Sequence, residues 1–225
     1  MRFLTISCNA AVDTTYSLDH LTPGAINRVD DVLPVPGGKG NNVARVLAAL
    51  GQTVTATGFV GGHTGRFIND GLRAVGVEPA FVHITGETRV CLTIVERDTG
   101  RITEIREPGP LVEARVAHQL LDQLQDLAPG TDVAVIAGSI PPGITADFYR
   151  QAIEILKADD VWVALDTSGE ALRCGMQGRP HLIKPNLEEL AELLGNVPRQ
   201  DLIARVQREV IGSVLGSDAA VLLSM

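Results

Sequence analysis

The sequence predicts an α/β protein: a mostly parallel sheet with helices on both faces, and a smaller β-sheet lying off it. Two patterns carry the prediction. From residue 112 onward, runs that are apolar throughout (Val133–Ala137, 161–165, Leu182–Ile183, 219–223) alternate with helical stretches, as strands of a parallel sheet buried on both faces do. Before that, residues 14–35 show weak alternation and scattered charge without a helical face, which reads as extended structure outside the main core.

In order, residues 3–7 read as a short buried strand ending at Asn9-Ala10-Ala11-Val12-Asp13. Residues 43–50 form the first clear helix, with Val43, Val46, Leu47 and Leu50 on one face and Gly51 as the stop. Thr53–Val60 alternates as a strand and runs into Gly61-Gly62. Residues 65–75 are helical through Phe67, Ile68, Leu72 and Val75, and 77–84 is a strand. Arg89–Glu96 and 101–106 pair across Asp98-Thr99-Gly100. A helix over 112–127 stops at Pro129-Gly130. Further helices are expected over 145–157, capped by Thr145, over Leu187–Leu194 and over 201–215.

The bulk properties narrow the function. A chain of 225 residues, 45% apolar, can bury a full core and is expected to be one domain. Net charge is −8 without a basic run, which argues against nucleic acid. No apolar run approaches the ~20 residues of a membrane span. Met1-Arg2-Phe3-Leu4 leads directly into a strand, so a secretory leader is not expected. Cys8, Cys91 and Cys174 are odd in number and lack C-x-x-C spacing, so reduced thiols and a cytoplasmic setting are expected. The five histidines show no metal spacing, and His63 is expected on the surface.

The polar residues that remain gather around Pro36-Gly37-Gly38-Lys39-Gly40-Asn41-Asn42. Glycines let a backbone approach a ligand, and a helix start offers unpaired N–H groups and partial positive charge. With Lys39 and Asn42 added, the loop suits an anionic small molecule. It is neither a Walker A loop, since Leu33 stands at the first glycine position, nor a G-x-G-x-x-G fingerprint, since Val43 stands at the last. The other unusual polar motifs follow strands: Asp13, Gly138-Ser139-Ile140-Pro141-Pro142-Gly143, Asp166-Thr167-Ser168-Gly169, Lys184-Pro185-Asn186 with Glu189, and Ser224. In open parallel sheets ligands bind at the carboxyl ends of strands, so these motifs should converge. Asp13 could accept hydroxyl hydrogen bonds, or cap a loop. Lys39 and Arg89 are candidates for a phosphate and Lys184 for a polyphosphate. Asn186 and Glu189, on one helix face, suit Mg²⁺ directly or through water, or simple helix-dipole pairing.

In this order the motifs resemble those of the PfkB (ribokinase-like) carbohydrate kinases over essentially the whole chain. The residues that carry the likeness are Asn9-x-x-x-Asp13, Pro36-Gly-Gly-Lys-Gly-x-Asn-Val-Ala44, Gly58-Phe-Val-Gly-Gly62, Gly86-Glu-Thr-Arg89, Glu107-Pro-Gly-Pro110, Gly138-Ser-x-Pro-Pro-Gly143, Leu165-Asp-Thr-Ser-Gly169 and Lys184-Pro-Asn-x-x-Glu189. Within the family, Gly-Gly-Lys-Gly, Thr-Arg and Glu-Pro-Gly-Pro look most like the 1-phosphofructokinase branch, with the tagatose-6-phosphate kinase branch next. The resemblance implies a three-layer core with a small β lid, about 8–35 and 88–107, which in relatives often forms a dimer interface. It implies phosphorylation of a sugar phosphate by ATP with Mg²⁺. Asp13, Gly37, Gly38, Lys39, Asn42, Arg89 and Ser139 would hold the sugar phosphate; Lys184, Asn186, Glu189 and Ser224 would face ATP and Mg²⁺. Two departures stand out. The family's Gly-Ala-Gly-Asp loop, whose Asp is the catalytic base, does not occur in these 225 residues, so a C-terminally incomplete chain of impaired activity is expected, ending on an exposed apolar strand. Position 106 is Arg where relatives commonly have Asn, which bears on the choice of sugar.

Overall fold

Strand β1 (Arg2–Ser7) is the central strand of the computed structural model, which describes residues 1–195, 201–215 and 219–224. It pairs in parallel with β4 (Thr53–Val60) on one edge, from Arg2↔Thr53 to Ser7↔Gly58, and with β9 (Val133–Ala137) on the other, from Phe3↔Val133 to Ile6↔Ile136. The sheet continues beyond β9 through β10 (Trp162–Asp166), β11 (Leu182–Ile183) and β12 (Ala220–Val221), and beyond β4 to β5 (Glu78–Pro79), with β6 (Val82–His83) also on β4. Every pairing in it is parallel.

The strand order reverses at β1. Connections through α1 (Lys39–Ala49) and α2 (Gly62–Ala74) lead to one edge; those through α4 (Phe148–Ala158) and α5 (Gly169–Met176) lead to the other. Right-handed crossovers then place the two helix sets on opposite faces. The core divides accordingly. Leu4 and Ile6 of β1 join Leu120 and Leu124 of α3 (Ala114–Leu127), Tyr149, Ile153 and Leu156 of α4, and Leu172 of α5. Phe3, pointing the other way, packs with Ala44, Val54, Ile68 and Leu72. The three-layer core read from the sequence is therefore present.

A second sheet of four strands runs β3-β2-β7-β8: β3 (Asp31–Gly37), β2 (Ala11–Leu18), β7 (Arg89–Glu96) and β8 (Ile102–Arg106). It is mixed, β2 pairing antiparallel with β3 and parallel with β7.

Several expectations shift. Helix α1 starts at Lys39, four residues before the apolar face at Val43 signals it, because its first turn is polar and glycine-rich. The strand expected over 77–84 is two short pieces. Pro79 has no N–H for the ladder, and the Ala80 carbonyl is taken by the Thr57 and Gln123 side chains. Thr145 caps nothing: α4 begins at Phe148 after Asp147, whose carboxylate is held by Arg150 and Gln151. Helix α5, with glycines at 169 and 175, gave no apolar period and was not anticipated. Helix α6 (Leu187–Leu194) has the expected bounds. The helix expected over 201–215 is α7 (Leu202–Arg205) running into a π-type stretch, Val206–Leu215. Strand β12 is shorter than the apolar run 219–223, and Leu222 and Leu223 beside it are exposed.

Ile6, fully buried between two helix layers and hydrogen-bonded on both edges, tests the frame. Ile6→Ala is expected to destabilise by about 2–5 kcal/mol, measured as a shifted urea midpoint with unchanged slope.

Candidate active site

The reversal of strand order at β1 opens a crevice between the loops after β1 and β9, the place where open α/β sheets bind ligands. Asn9 stands on the first loop and Ser139 on the second. The Asn9 Nδ2 donates to Ser139 Oγ at 3.1 Å and to the Pro108 carbonyl at 3.0 Å. A Cβ on Gly109 would lie 2.2 Å from Asn9 Oδ1, so only glycine lets this loop close over it. Ser139 itself is exposed. Beneath it the buried Tyr149 hydroxyl donates to the Gly138 carbonyl at 3.0 Å. Burial pushes the neighbouring Cys8 thiol up to about 12, which leaves it an unreactive core group. Cys8, Cys91 and Cys174 are all free.

Arg89, expected to meet a phosphate, turns its guanidinium onto backbone. Nη1 donates to the Glu107 carbonyl and Nη2 to the Asn9 carbonyl, both at 2.9 Å, while Nε is buried without a partner among the described residues. It thereby ties the small sheet to the loop after β1.

Asp13 lies within β2 rather than in the loop after β1, which removes the loop-cap reading. Its Oδ2 accepts from the Gly38 N–H at 3.4 Å. Any Cβ on Gly37 would strike the Asp13 carboxylate at 2.2 Å, and Gly38 has φ 93°, a left-handed backbone that side chains disfavour. Together they bring the start of α1 against Asp13, and no side chain caps that helix, so its first-turn N–H groups keep their partial positive charge beside Asp13. Asn41, not Asn42, is the buried member of the pair: its Nδ2 donates to the Gly37 carbonyl at 2.7 Å. Asn42 is exposed and accepts from Arg45, so its side-chain hydrogen bond is to none of the other candidates.

Lys39 and Lys184 converge on one carboxylate. Lys39 Nζ lies 2.9 Å from Asp166 Oδ1 and Lys184 Nζ 3.3 Å from Oδ2. Asp166 ends β10, Lys184 follows β11, and the Gly138 N–H donates to the Asp166 carbonyl. Both lysines are partly exposed and Asp166 largely buried. Two cations sharing one anion leave local positive charge on an acidic protein. Next to Lys184, Asn186 and Glu189 form a reciprocal cap on α6: Glu189 N–H to Asn186 Oδ1 and Asn186 N–H to Glu189 Oε2, each 2.8 Å. Ser224 bridges to Asn186 and donates its N–H to the Pro185 carbonyl.

The candidates therefore form two bonded groups, Arg89–Asn9–Ser139 and Lys39–Asp166–Lys184, linked through the Gly138 N–H on the Asp166 carbonyl, with Asn186 and Ser224 next to Lys184 and Asp13 beside Gly37 and Gly38. Asn9 and Asp166 are central to these groups, yet sequence reasoning gave them no role of their own; a polar residue directly after an apolar strand was the available signal. His63 is exposed and paired with Arg66. One cluster that the sequence spacing hid, His20, Glu96 and Asp98, lies at the end of the small sheet. There Arg101 and the Leu21 N–H already occupy Glu96.

Comparison with known proteins defines the class. The model of the pfkB family of carbohydrate kinases matches residues 6–223. The chain belongs to that family. A tagatose-6-phosphate kinase of Staphylococcus epidermidis is 36% identical over 228 residues, covering 96% of this chain and 73% of the relative. Among solved structures, the tetrameric inhibited form of phosphofructokinase-2 from Escherichia coli superposes with a TM-score of 0.88 at 29% identity, over 95% of this chain and 71% of that one. A protein of Thermotoga maritima described as a possible 1-phosphofructokinase gives 0.89 at 26% identity, over 100% and 72%.

Glu87, beside the site, is a carboxylate with a depressed pKa. Hydrogen bonds from the Thr64 and His63 backbone and the Thr64 hydroxyl hold the Glu87 carboxyl down to about 2. Glu87 thus pins the start of α2, two residues from Arg89. A depressed folded-state pKa gives stability that is present above the unfolded value, near 4.3, and is lost as pH falls toward 2. Glu87→Gln is expected to lower stability at pH 7, and the difference from the parent should vanish between about pH 5 and pH 2 in urea titrations.

Proposed function

We propose that this chain carries the substrate sites of a phosphosugar kinase that transfers the γ-phosphoryl group of ATP to fructose 1-phosphate, giving fructose 1,6-bisphosphate and ADP. The carrying observation is the meeting of Asp13, the open start of α1 and the Lys39–Asp166–Lys184 cluster along one rim of the sheet. Asp13 accepts the sugar hydroxyls. Gly37 and Gly38 let the sugar approach the helix start, and Asn42 borders it. Arg89 and Ser139 shape the far wall through Asn9. Lys39 and Lys184 draw in the phosphates of ATP, whose oxygens displace a lysine from Asp166 and receive charge as the acceptor oxygen attacks phosphorus and ADP leaves.

The Asn186–Glu189 pair fits Mg²⁺ at one remove. One Glu189 oxygen and the Asn186 amide oxygen are engaged in the cap, which leaves Glu189 one oxygen for the ion's water shell. Asn186 orients that carboxylate and Ser224 borders the nucleotide. Bound Mg²⁺ would neutralise phosphate charge. The proton of the acceptor hydroxyl needs a base, and the family's Gly-Ala-Gly-Asp is absent from these 225 residues. A positioned base contributes roughly 10²–10⁴ in rate, so this polypeptide binds its substrates and turns them over poorly or not at all.

Tagatose 6-phosphate is the second reading, favoured by the 36% identical relative; a sugar-phosphate binder without catalysis is the third. The small sheet, with Val32, Leu33, Ile102 and Ile105 exposed, is proposed to join two copies, and the setting to be cytoplasmic. Calorimetry with fructose 1-phosphate, tagatose 6-phosphate and ATP·Mg²⁺, together with an ADP-release assay, decides among these. The expected result is tightest binding of fructose 1-phosphate, weakened about ten- to a hundredfold by Asp13→Asn, with little ADP. Tighter binding of tagatose 6-phosphate selects the second reading. Binding of sugar phosphate without ATP selects the third, and binding of no sugar phosphate removes all three.

A further inference from the structure

We infer that Arg106 anchors the phosphate of the sugar phosphate, at the end of the cleft away from Lys39 and Lys184; this rests on the sugar-phosphate reading above. The sheet register supplies the first argument. Asp13 of β2 pairs with Cys91 of β7, and Cys91 pairs with Arg106 of β8. Directly paired residues point to the same face of a sheet, so Arg106 is on the face that presents Asp13 to the start of α1. Two inter-strand steps of about 4.8 Å separate them, so the cation and the hydroxyl-accepting carboxylate are roughly 10 Å apart at their backbones. The same face carries Arg89 one row nearer the core.

The second argument is what each cation is doing. Lys39 and Lys184 share Asp166. The Arg89 terminal nitrogens hold the carbonyls of Asn9 and Glu107. Arg106 alone of these four has as its partner a carboxylate two residues away on the same strand, Glu104, with both side chains well exposed. Such a surface pair is easily exchanged, and a guanidinium fork matches a phosphate bidentately. The Cys91 thiol between them is pushed up by burial and by the Asp13 charge and pulled down by Arg89 and Arg106, which fits a row forming one electrostatic environment. Arg106 therefore selects monophosphates whose phosphate lies at the far end from the hydroxyl presented to Lys39, and an unphosphorylated sugar lacks the group it reads.

The test is calorimetry on the 225-residue chain with fructose 1-phosphate, tagatose 6-phosphate, fructose and ATP·Mg²⁺. Arg106→Gln is expected to weaken the preferred sugar phosphate about ten- to a hundredfold and to leave ATP·Mg²⁺ affinity and the melting profile unchanged. Arg106→Lys should restore part of the loss, and Glu104→Gln, which frees the guanidinium, should tighten binding. Sugar-phosphate affinity in Arg106→Gln equal to the parent's overturns the inference while leaving the kinase reading intact. If the parent chain binds no sugar phosphate, the reading and the inference fall together.

Discussion

The parallel pairing of Arg2–Ser7 on both of its edges is the constraint that the rest of the molecule depends on. Because that strand takes Thr53–Val60 on one side and Val133–Ala137 on the other, the chain leaves it in one direction and returns in the other. The loops after it and after Val133–Ala137 cannot be covered by a single crossover, so a crevice must open between them. The pairing is held in register from within. Leu4 and Ile6 face one helix layer and Phe3 the other, and a slip of one residue would exchange them. Asn9 and Ser139 meet because the register is what it is.

The site built on this frame is largely a backbone construction. Gly37 gives way to the Asp13 carboxylate and Gly109 to Asn9, while Arg89 and Tyr149 spend their donors on carbonyls. Of the side chains left to meet a ligand, Lys39, Lys184 and Asp166 are charged and paired with one another. The Asp166 carboxylate between Lys39 and Lys184 cancels their mutual repulsion in the empty cleft. Because Lys39 is exposed and Lys184 partly so, each pair is individually weak. An arriving anion can therefore take over a lysine without leaving a buried charge uncompensated, the costly outcome in a dry ion pair.

The sequence carried the layers well and the site only in part, for a physical reason. Val133–Ala137, Leu182–Ile183 and Leu187–Leu194 were legible with their bounds because burial on two faces, or on one helical stripe, writes a local pattern. That polar motifs end the parallel strands was legible too. What was not legible depends on pairings between distant segments. Nothing local says that β1 accepts a partner on each edge, so the polar Asn9 after an apolar strand gave no sign that it would meet Ser139. Asp13 looked like a loop residue because β2 begins only three residues after Cys8. That Arg89 donates to two backbone carbonyls was hidden too, since such a hydrogen bond leaves no trace in sequence. Asn186 and Glu189 fit two readings, and the structure realises the cap, which is compatible with the metal role only for the oxygen left over.

The engagement of Arg89 changes how the small sheet must be understood. Its two terminal nitrogens grip the loop after β1 and the segment after β8, so the sheet that carries Asp13 and Arg106 is joined to the crevice by the same side chain that reaches Asn9 and, through it, Ser139. Two groups along this path, Arg89 Nε and Asn9 Oδ1, are buried without partners among the described residues, and unsatisfied groups of that kind are rare enough to need a reason. The reason here is geometric: each atom is fixed by the other bonds its side chain makes, Arg89 by two carbonyls and Asn9 by Pro108, Ser139 and the approach of Gly109. The chain tolerates two unmet hydrogen bonds to lock the cover onto the crevice. The two walls flanking Asp13 and Lys39 are thus held in place by contacts within the chain, and a cleft set in advance lowers the ordering cost of binding.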